Sequence, residues 1–428
     1  MGTELPTNVA EALIKTVKDV RDTGSAVDSA GDGRGFVELL GYTTGMSNPL
    51  ARIGAGQRPL PTVGAVARFV WLVSGSDRLE DIAYYESRVR TYTDDGLTVP
   101  GSSYGKRIFN ASPGTNQMRG VVDELKANPD SRRAAAVVWL PEDAVRTSND
   151  IPCTFGLFFH VRAGALTMTT VMRSNNAVTL VPYNFFEFSM IGEMVAAELD
   201  VPFERYIHWA ASMHTIDAQN ELRDQVLAIS EPRAITMPEM PRGGALEMAN
   251  SLAAYEARLR HAGTAEELVE LANEARDVLG EYWAGFFNVL YVHGLAKRGM
   301  RAEAWEEFER IPSYFQLGAK GAIEKVLGPE PLDTSSTDAL FSLDVIEPLT
   351  AGHGAAQVAM GASKADDVDW LLSALGDLST PERPVTLDEL VSVREVLRQD
   401  DVALAARLGD KPQDVADALA RVRESGGS

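Results

Sequence analysis

Ile151-Pro152-Cys153-Thr154-Phe155-Gly156-Leu157-Phe158-Phe159-His160-Val161, and the run Leu166-Thr167-Met168-Thr169-Thr170-Val171-Met172-Arg173-Ser174-Asn175 that follows it, decide how this chain is read. Two apolar stretches, 155–161 and 166–172, are joined around Arg162-Ala163-Gly164, which predicts a hairpin of long strands. Residues 185–199 then carry the apolar periodicity of a core helix, and 207–214 return to a strand pattern. Upstream, 134–140 is a short apolar run between charged segments and reads as a central strand. Residues 36–42 read as another strand. Residues 63–75 read as a buried helix with Ala65, Phe69 and Leu72 at helical spacing. An amphipathic helix over 1–22, a Gly/Ser/Asp-rich loop to 35 and a loop over 94–106 complete this half. Strands and helices so interleaved predict a domain of α plus β.

After Met240-Pro241-Arg242-Gly243-Gly244 the pattern becomes mainly helical. Thr264 with Glu267, and Thr386 with Glu389, have capping-box spacing, and a Pro/Ser/Thr-rich break at 328–338 divides this half again. The expected organisation is therefore an α/β domain over 1–243 and an acidic helical extension over 244–428. The chain has 428 residues and a formal charge of -21, of which residues 244–428, with 32 acidic and 17 basic side chains, carry -15. So acidic a surface repels nucleic-acid phosphates, and free DNA or RNA is not expected as a partner. No segment has the length and apolarity of a membrane span or of a leader, so a soluble, cytoplasmic protein without a membrane partner is expected. A single cysteine forms no intrachain disulfide and no cysteine-rich metal site, and no metal is expected.

Taken alone, a lone cysteine is a small buried hydrophobe. Here it heads a series: a thiol at Cys153, a cation at Arg173, a carboxamide at Asn184 in Pro182-Tyr183-Asn184, and an imidazole at His214 in Ser212-Met213-His214. In that order and spacing, residues 30–235 resemble thymidylate synthase and the related pyrimidine-nucleotide hydroxymethylases. The resemblance implies a large twisted mixed sheet with packed helices, dimerising through the sheet. It implies a thiolate at Cys153 that adds to C6 of a pyrimidine monophosphate so that C5 can take a one-carbon unit. Arg173 would lower the thiol pKa and, with Ser174, hold the phosphate. Arg132 and Arg133, in Asn128-Pro129-Asp130-Ser131-Arg132-Arg133, would reach the partner subunit's phosphate, and Arg34, in Gly31-Asp32-Gly33-Arg34-Gly35, would add a fourth cation. Asn184 would select uracil over cytosine, His214 would bind the sugar, and Tyr104 would lie near the nucleophile.

Departures from the family pattern are as informative as the matches. The family glutamate three residues before the core-helix tryptophan, here Trp71, is matched by Arg68, and an arginine cannot serve as a carboxylate base. The sugar-binding tyrosine two residues after His214 is matched by Ile216. On the surface that takes the folate, an aspartate is matched by Asn176 and a glycine by Leu180; Tyr92 and Asp94-Asp95 stand where tryptophans are expected. The resemblance thus implies 5,10-methylenetetrahydrofolate as cofactor with an altered site. The expected activity is a C5 one-carbon transferase on a uracil mononucleotide, with hydroxymethylation ahead of methylation to thymidylate. Cytidylate hydroxymethylation is a further alternative. A nucleotide-binding protein that has lost the chemistry, docking a partner through the helical extension, is the reading from outside enzymology.

Overall fold

The computed structural model describes residues 4–28, 35–56 and 58–328. Arg34, most of the 328–338 break and the Thr386/Glu389 capping box lie outside the described residues. Asn8 caps α1 (Val9–Thr23) by accepting from the Ala10 and Glu11 amides, and the helix buries a stripe that includes Val9, Ala12, Val17 and Val20. The loop expected up to residue 35 contains a short strand, β1 (Ser25–Val27), paired antiparallel with β2 (Phe36–Met46). β3 (Ile53–Ala55) pairs only with β9 (Arg233–Ile235) in a separate two-stranded sheet. α2 (Thr62–Ser74) is almost wholly buried and ends at Gly75 in the left-handed conformation. Two short helices, α3 (Leu79–Ala83) and α4 (Tyr104–Ile108), flank the loop of residues 84–103.

α5 (Gln117–Ala127) was not anticipated, although Asn116 caps it and Met118, Val121, Val122 and Leu125 fall on one buried face. The hairpin expected at 155–172 is present as β5 (Thr154–Arg162) and β6 (Ala165–Met172), and the 134–140 run contributes the shorter β4 (Ala135–Val137). The two-residue β7 (Asn175–Asn176) leads into α6 (Val181–Leu199), started by Pro182 in its first turn. β8 (Phe203–Ile216) and α7 (Asn220–Leu227) follow. The main sheet has the order β1-β2-β8-β6-β5-β4, with β7 also on β8. All neighbours are antiparallel except β6 and β7 against β8. A parallel pair needs a crossover connection, and α6 supplies it. That places α6 in the core, which is why 15 of its residues are buried on every side.

The extension adds α8 (Ala245–His261), α9 (Ala265–Lys297), α10 (Arg301–Phe308) and α11 (Ser313–Leu327). The Thr264/Glu267 capping box forms as expected, and α9 breaks its helical geometry at Gly280, where φ is 64°. These helices cover the outer side of α2: Phe69 stacks on Trp283 at 6.5 Å and meets Phe286 at 5.7 Å. The Thr62 hydroxyl donates to the Phe315 carbonyl at 2.9 Å. α11 comes so close that a Cβ on Gly318 would lie 1.9 Å from the Leu60 carbonyl oxygen. Among the described residues no helix is long and apolar enough to cross a membrane.

Candidate active site

Cys153 stands at the entry to β5, and the register of the hairpin decides what faces it. Arg162 pairs with Ala165, and pairing runs evenly to Gly156 opposite Val171; Thr154 then pairs with Met172, one residue out of step. This β-bulge puts Arg173, rather than Ser174, opposite Cys153, and the Arg173 amide donates to the Cys153 carbonyl at 2.8 Å. The guanidinium donates to the Pro152 and Ile151 carbonyls at 2.7 and 3.0 Å, lies 5.8 Å from the Trp139 ring centre, and brings Nη2 within 3.8 Å of Cys153 Sγ. Its charge favours thiolate. Burial works the other way and prevails, with Asp150 adding to it, so the thiol titrates above its ordinary value. The Arg173 charge thus pulls the thiol down without offsetting its burial.

The thiol opens into a cavity of about 380 Å³. Its walls include Cys153, Arg173, Tyr104, Asn184, Arg68 and Glu187, and its apolar side comes from α2 and from the loop after α3. Tyr104 stacks on Phe188 at 6.2 Å, and burial pushes its hydroxyl well above the usual phenol range, so it serves as a neutral donor. Asp150 secures the cysteine loop: it accepts from the Gly101 and Ser102 amides and from the Ser102 hydroxyl. Asp94 accepts from the Ser148 hydroxyl and the Asn149 amide, so the Asp94-Asp95 segment ties down the far side of the same loop. Asn184 is buried, and its side-chain oxygen accepts from Asn175 Nδ2 at 2.6 Å. The oxygen keeps a second lone pair and the amide nitrogen is a donor, so the Asn184 carboxamide can both accept from and donate to a ligand.

Arg68 enters the cavity from α2. Its guanidinium forks onto Glu86 through Nε at 2.9 Å and Nη2 at 2.9 Å, and lies 5.3 Å from the Tyr183 ring centre. Nη1 is 3.9 Å from Glu187 Oε1, which has no hydrogen-bond partner although Glu187 is only 4% exposed. Burial pushes the Glu187 carboxyl up to about 7, against the pull of Arg68 and with the help of Glu86. Sequence reading missed this residue. Its one signal was a single charge within Phe185-Phe186-Glu187-Phe188, on a helix whose apolar residues run all round.

The remaining expected residues fall in three places. Ser174 and His214 adjoin each other, with Oγ 3.4 Å from Nδ1, and His214 rests edge-on against Phe36; neither lines the cavity. Arg132 and Arg133 are exposed beside the edge strand β4 and do not line their own chain's cavity. Asn176 is buried and committed: its oxygen accepts from the Val178 and Thr179 amides and its nitrogen donates to Gln219 Oε1 at 2.8 Å. Leu180 fills part of the cavity wall. An Asn176 whose oxygen already accepts two hydrogen bonds and a leucine in place of open space do not fit a pterin bound as the resemblance implies. Among the described residues, no group of three or more His, Cys, Asp or Glu side chains could hold a metal ion.

Comparison with known proteins places this arrangement. A family model described as thymidylate synthase matches residues 14–242. A putative thymidylate synthase of Methanosarcina acetivorans is 28% identical over 158 residues, covering 36% of this chain and 72% of the relative. A deoxyuridylate hydroxymethyltransferase of Pseudomonas phage M6 is 30% identical over 171 residues, 39% of this chain and 47% of the relative. A putative thymidylate synthase of Methanocaldococcus jannaschii is 31% identical over 140 residues, 30% of this chain and 63% of the relative. The chain thus spans about half the length of the phage enzyme and less than two thirds of the last.

Proposed function

The chain belongs to the thymidylate synthase family of one-carbon transferases, and from that premise we propose that it transfers a one-carbon unit to C5 of a uracil mononucleotide, as a (d)UMP hydroxymethylase. The observation that carries the reading is the meeting of Cys153, Arg173 and Asn184 at one cavity. The cysteine adds to C6 as its thiolate, supported by Arg173 at 3.8 Å. The Asn184 amide nitrogen donates to O4 of uracil; the C4 amine of cytosine, itself a donor, meets it badly. In this reading Arg173 meets the phosphate at the cavity wall, while Ser174, Arg34 and Arg132 and Arg133 of the partner subunit meet the phosphate, and His214 the sugar, where the nucleotide extends beyond that cavity. Forked guanidinium contacts suit a phosphate dianion. Tyr104 donates beside the nucleophile, and Asp150 keeps the cysteine loop in register.

The family normally uses 5,10-methylenetetrahydrofolate, which supplies the one-carbon unit when bound. Asn176 and Leu180 do not fit its pterin. The same misfit favours hydroxymethylation. Methylation requires a hydride donor held closely over C5, whereas hydroxymethylation completes with water, which needs no stacked ring. The relatives named deoxyuridylate hydroxymethyltransferase lend support to a uracil over a cytosine nucleotide as substrate.

The test is release of tritium from C5-labelled dUMP, UMP, dCMP and CMP, with products identified by mass. Release from a uracil nucleotide, its loss in Cys153→Ala, and nucleotide affinity kept within about threefold in that variant are the expected results. Equal release by Cys153→Ala overturns the proposal. A product carrying a methyl rather than a hydroxymethyl group returns the chain to thymidylate synthesis.

A further inference from the structure

Two polar groups in the wall of the Cys153 cavity have nothing to bond. Trp71 Nε1 and Glu187 Oε1 are both buried without a partner, on α2 and α6 respectively. A buried donor or acceptor left unmade is costly, so such a pair in one cavity marks a place where a polar ligand completes the bonding. Arg68 does not satisfy Glu187. Its fork is taken by Glu86, and its remaining nitrogen stands at 3.9 Å. Glu187 lies three residues after Asn184 on α6, so the two side chains share a face one turn apart, and both line the cavity.

We propose that Glu187 is the general acid and base for the C4–C5 edge of the bound uracil, standing in the cavity where Arg68 cannot act. The proposal rests on the reading of the site as a uracil C5 transferase. A ring whose O4 meets Asn184 turns its O4–C5 edge toward the residue one helical turn on. When the Cys153 thiolate forms its bond to C6, the C5=C6 pair moves into the ring and the C4=O pair moves onto O4, which takes the proton from neutral Glu187. The enol re-forms its carbonyl as C5 takes a proton from solvent and O4 releases its own proton to solvent, which leaves Glu187 as the carboxylate. The Glu187 carboxylate then removes the original C5 hydrogen, and the C6–S bond breaks to return the thiolate. Nothing beyond solvent is consumed, so this step runs as hydrogen exchange without a one-carbon donor.

A carboxyl that titrates at about 7 can both give and take a proton at neutral pH. The charged and titratable groups that act on it are Arg68 and Glu86 from the side of α2 and α3, Tyr183 on α6, Tyr104 on α4 and Tyr206 on β8. The tyrosines titrate far above neutrality and stay uncharged there, and the nucleotide phosphate, with a second pKa of about 6, titrates alike in parent and variant, so the part of the limb near pH 7 that Glu187→Gln removes belongs to Glu187.

The test uses the full chain with C5-tritiated dUMP and no folate. Glu187→Gln should lower exchange by about 100-fold or more while the nucleotide Kd stays within about threefold, and the limb near pH 7 should vanish from what remains. Glu187→Asp, which keeps the carboxyl but shortens it, should keep the limb and part of the rate. Folding of the Gln variant has its own readout. The folded carboxyl holds its proton more tightly than the unfolded one, so it opposes folding increasingly as pH rises from about 4.5 to about 7 and fully above that. Removing it should raise Tm at pH 8. Exchange by Glu187→Gln within about threefold of the parent, with the pH profile unchanged, overturns this inference and leaves the Cys153 reading standing. No exchange in the parent overturns both.

Discussion

At the residue scale, Arg173 does two jobs that pull on one sulfur. Its hydrogen bonds to the Ile151 and Pro152 carbonyls hold it against the cysteine loop and its charge favours thiolate, yet burial leaves the Cys153 thiol above its ordinary value. Because the chain has one cysteine, alkylation reads this directly. The rate of reaction with iodoacetamide should rise with a midpoint above the free-thiol value of about 8.5. Arg173→Ala should move that midpoint further up, since only the desolvation and Asp150 then act. A midpoint below the free-thiol value, or one that falls in Arg173→Ala, contradicts the geometry described. The series Cys153, Arg173, Asn184 was legible in the sequence as residue types. Glu187 was not, because a glutamate inside a helix pattern looks the same whether it faces water or a cavity.

At the element scale, α2 is a wall with two sides. One side carries Arg68, Trp71 and Leu72 to the cavity, and the other is covered by α9 and α11 through Phe69, Trp283, Phe286 and Phe315. The extension also grips the segment that supplies Glu86. Arg260 pairs with Asp81 at 2.9 Å, Tyr85 donates to Glu256 at 2.8 Å, and Arg298 donates to the Tyr84 hydroxyl at 2.9 Å. Residues far outside the segment that resembles the family thus brace the wall of the site. Trp283→Ala should cost about 3–5 kcal/mol of stability, read as a lower denaturant midpoint, and should weaken nucleotide binding although Trp283 does not line the cavity. A loss under about 1 kcal/mol would mean that α2 is held by other contacts. The helices of the extension were visible as amphipathic patterns with a capping box; their target was not, since a buried helical face carries no label for its partner.

At the scale of the whole molecule, the sheet turns an apolar face to solvent. Phe155, Phe158 and Val137 are exposed on neighbouring strands, and Leu40 on β2 is 76% exposed. Arg132 and Arg133 are exposed beside β4 and do not line their own chain's cavity, so the phosphate role proposed for them needs a second copy of the chain. A dimer at micromolar concentration in sedimentation is expected, and Phe158→Glu should give a monomer that has lost C5 exchange. Mixing Cys153→Ala protein with Arg133→Ala protein should restore part of the activity, because one of the two sites in a mixed dimer then has both an intact thiol and an intact partner arginine. A fully active monomer rules the arrangement out. The helices after residue 243 and the α/β part pack into one compact unit among the described residues.

Periodicity and residue type were enough to determine the hairpin of β5 and β6, the core helix α6, the strand after it and the helical character of residues 245–327. Each of these depends on local burial patterns that repeat along the chain. The spacing from Cys153 to His214 likewise carried the family. Tertiary structure alone decided the rest. A one-residue bulge, invisible in composition, set Arg173 opposite the thiol. The packing of α2 against α6 brought Arg68 within 3.9 Å of Glu187 across more than a hundred residues of chain. Desolvation, which depends on everything packed around a group, overrode the charge of Arg173 at Cys153 and lifted Glu187 to neutrality.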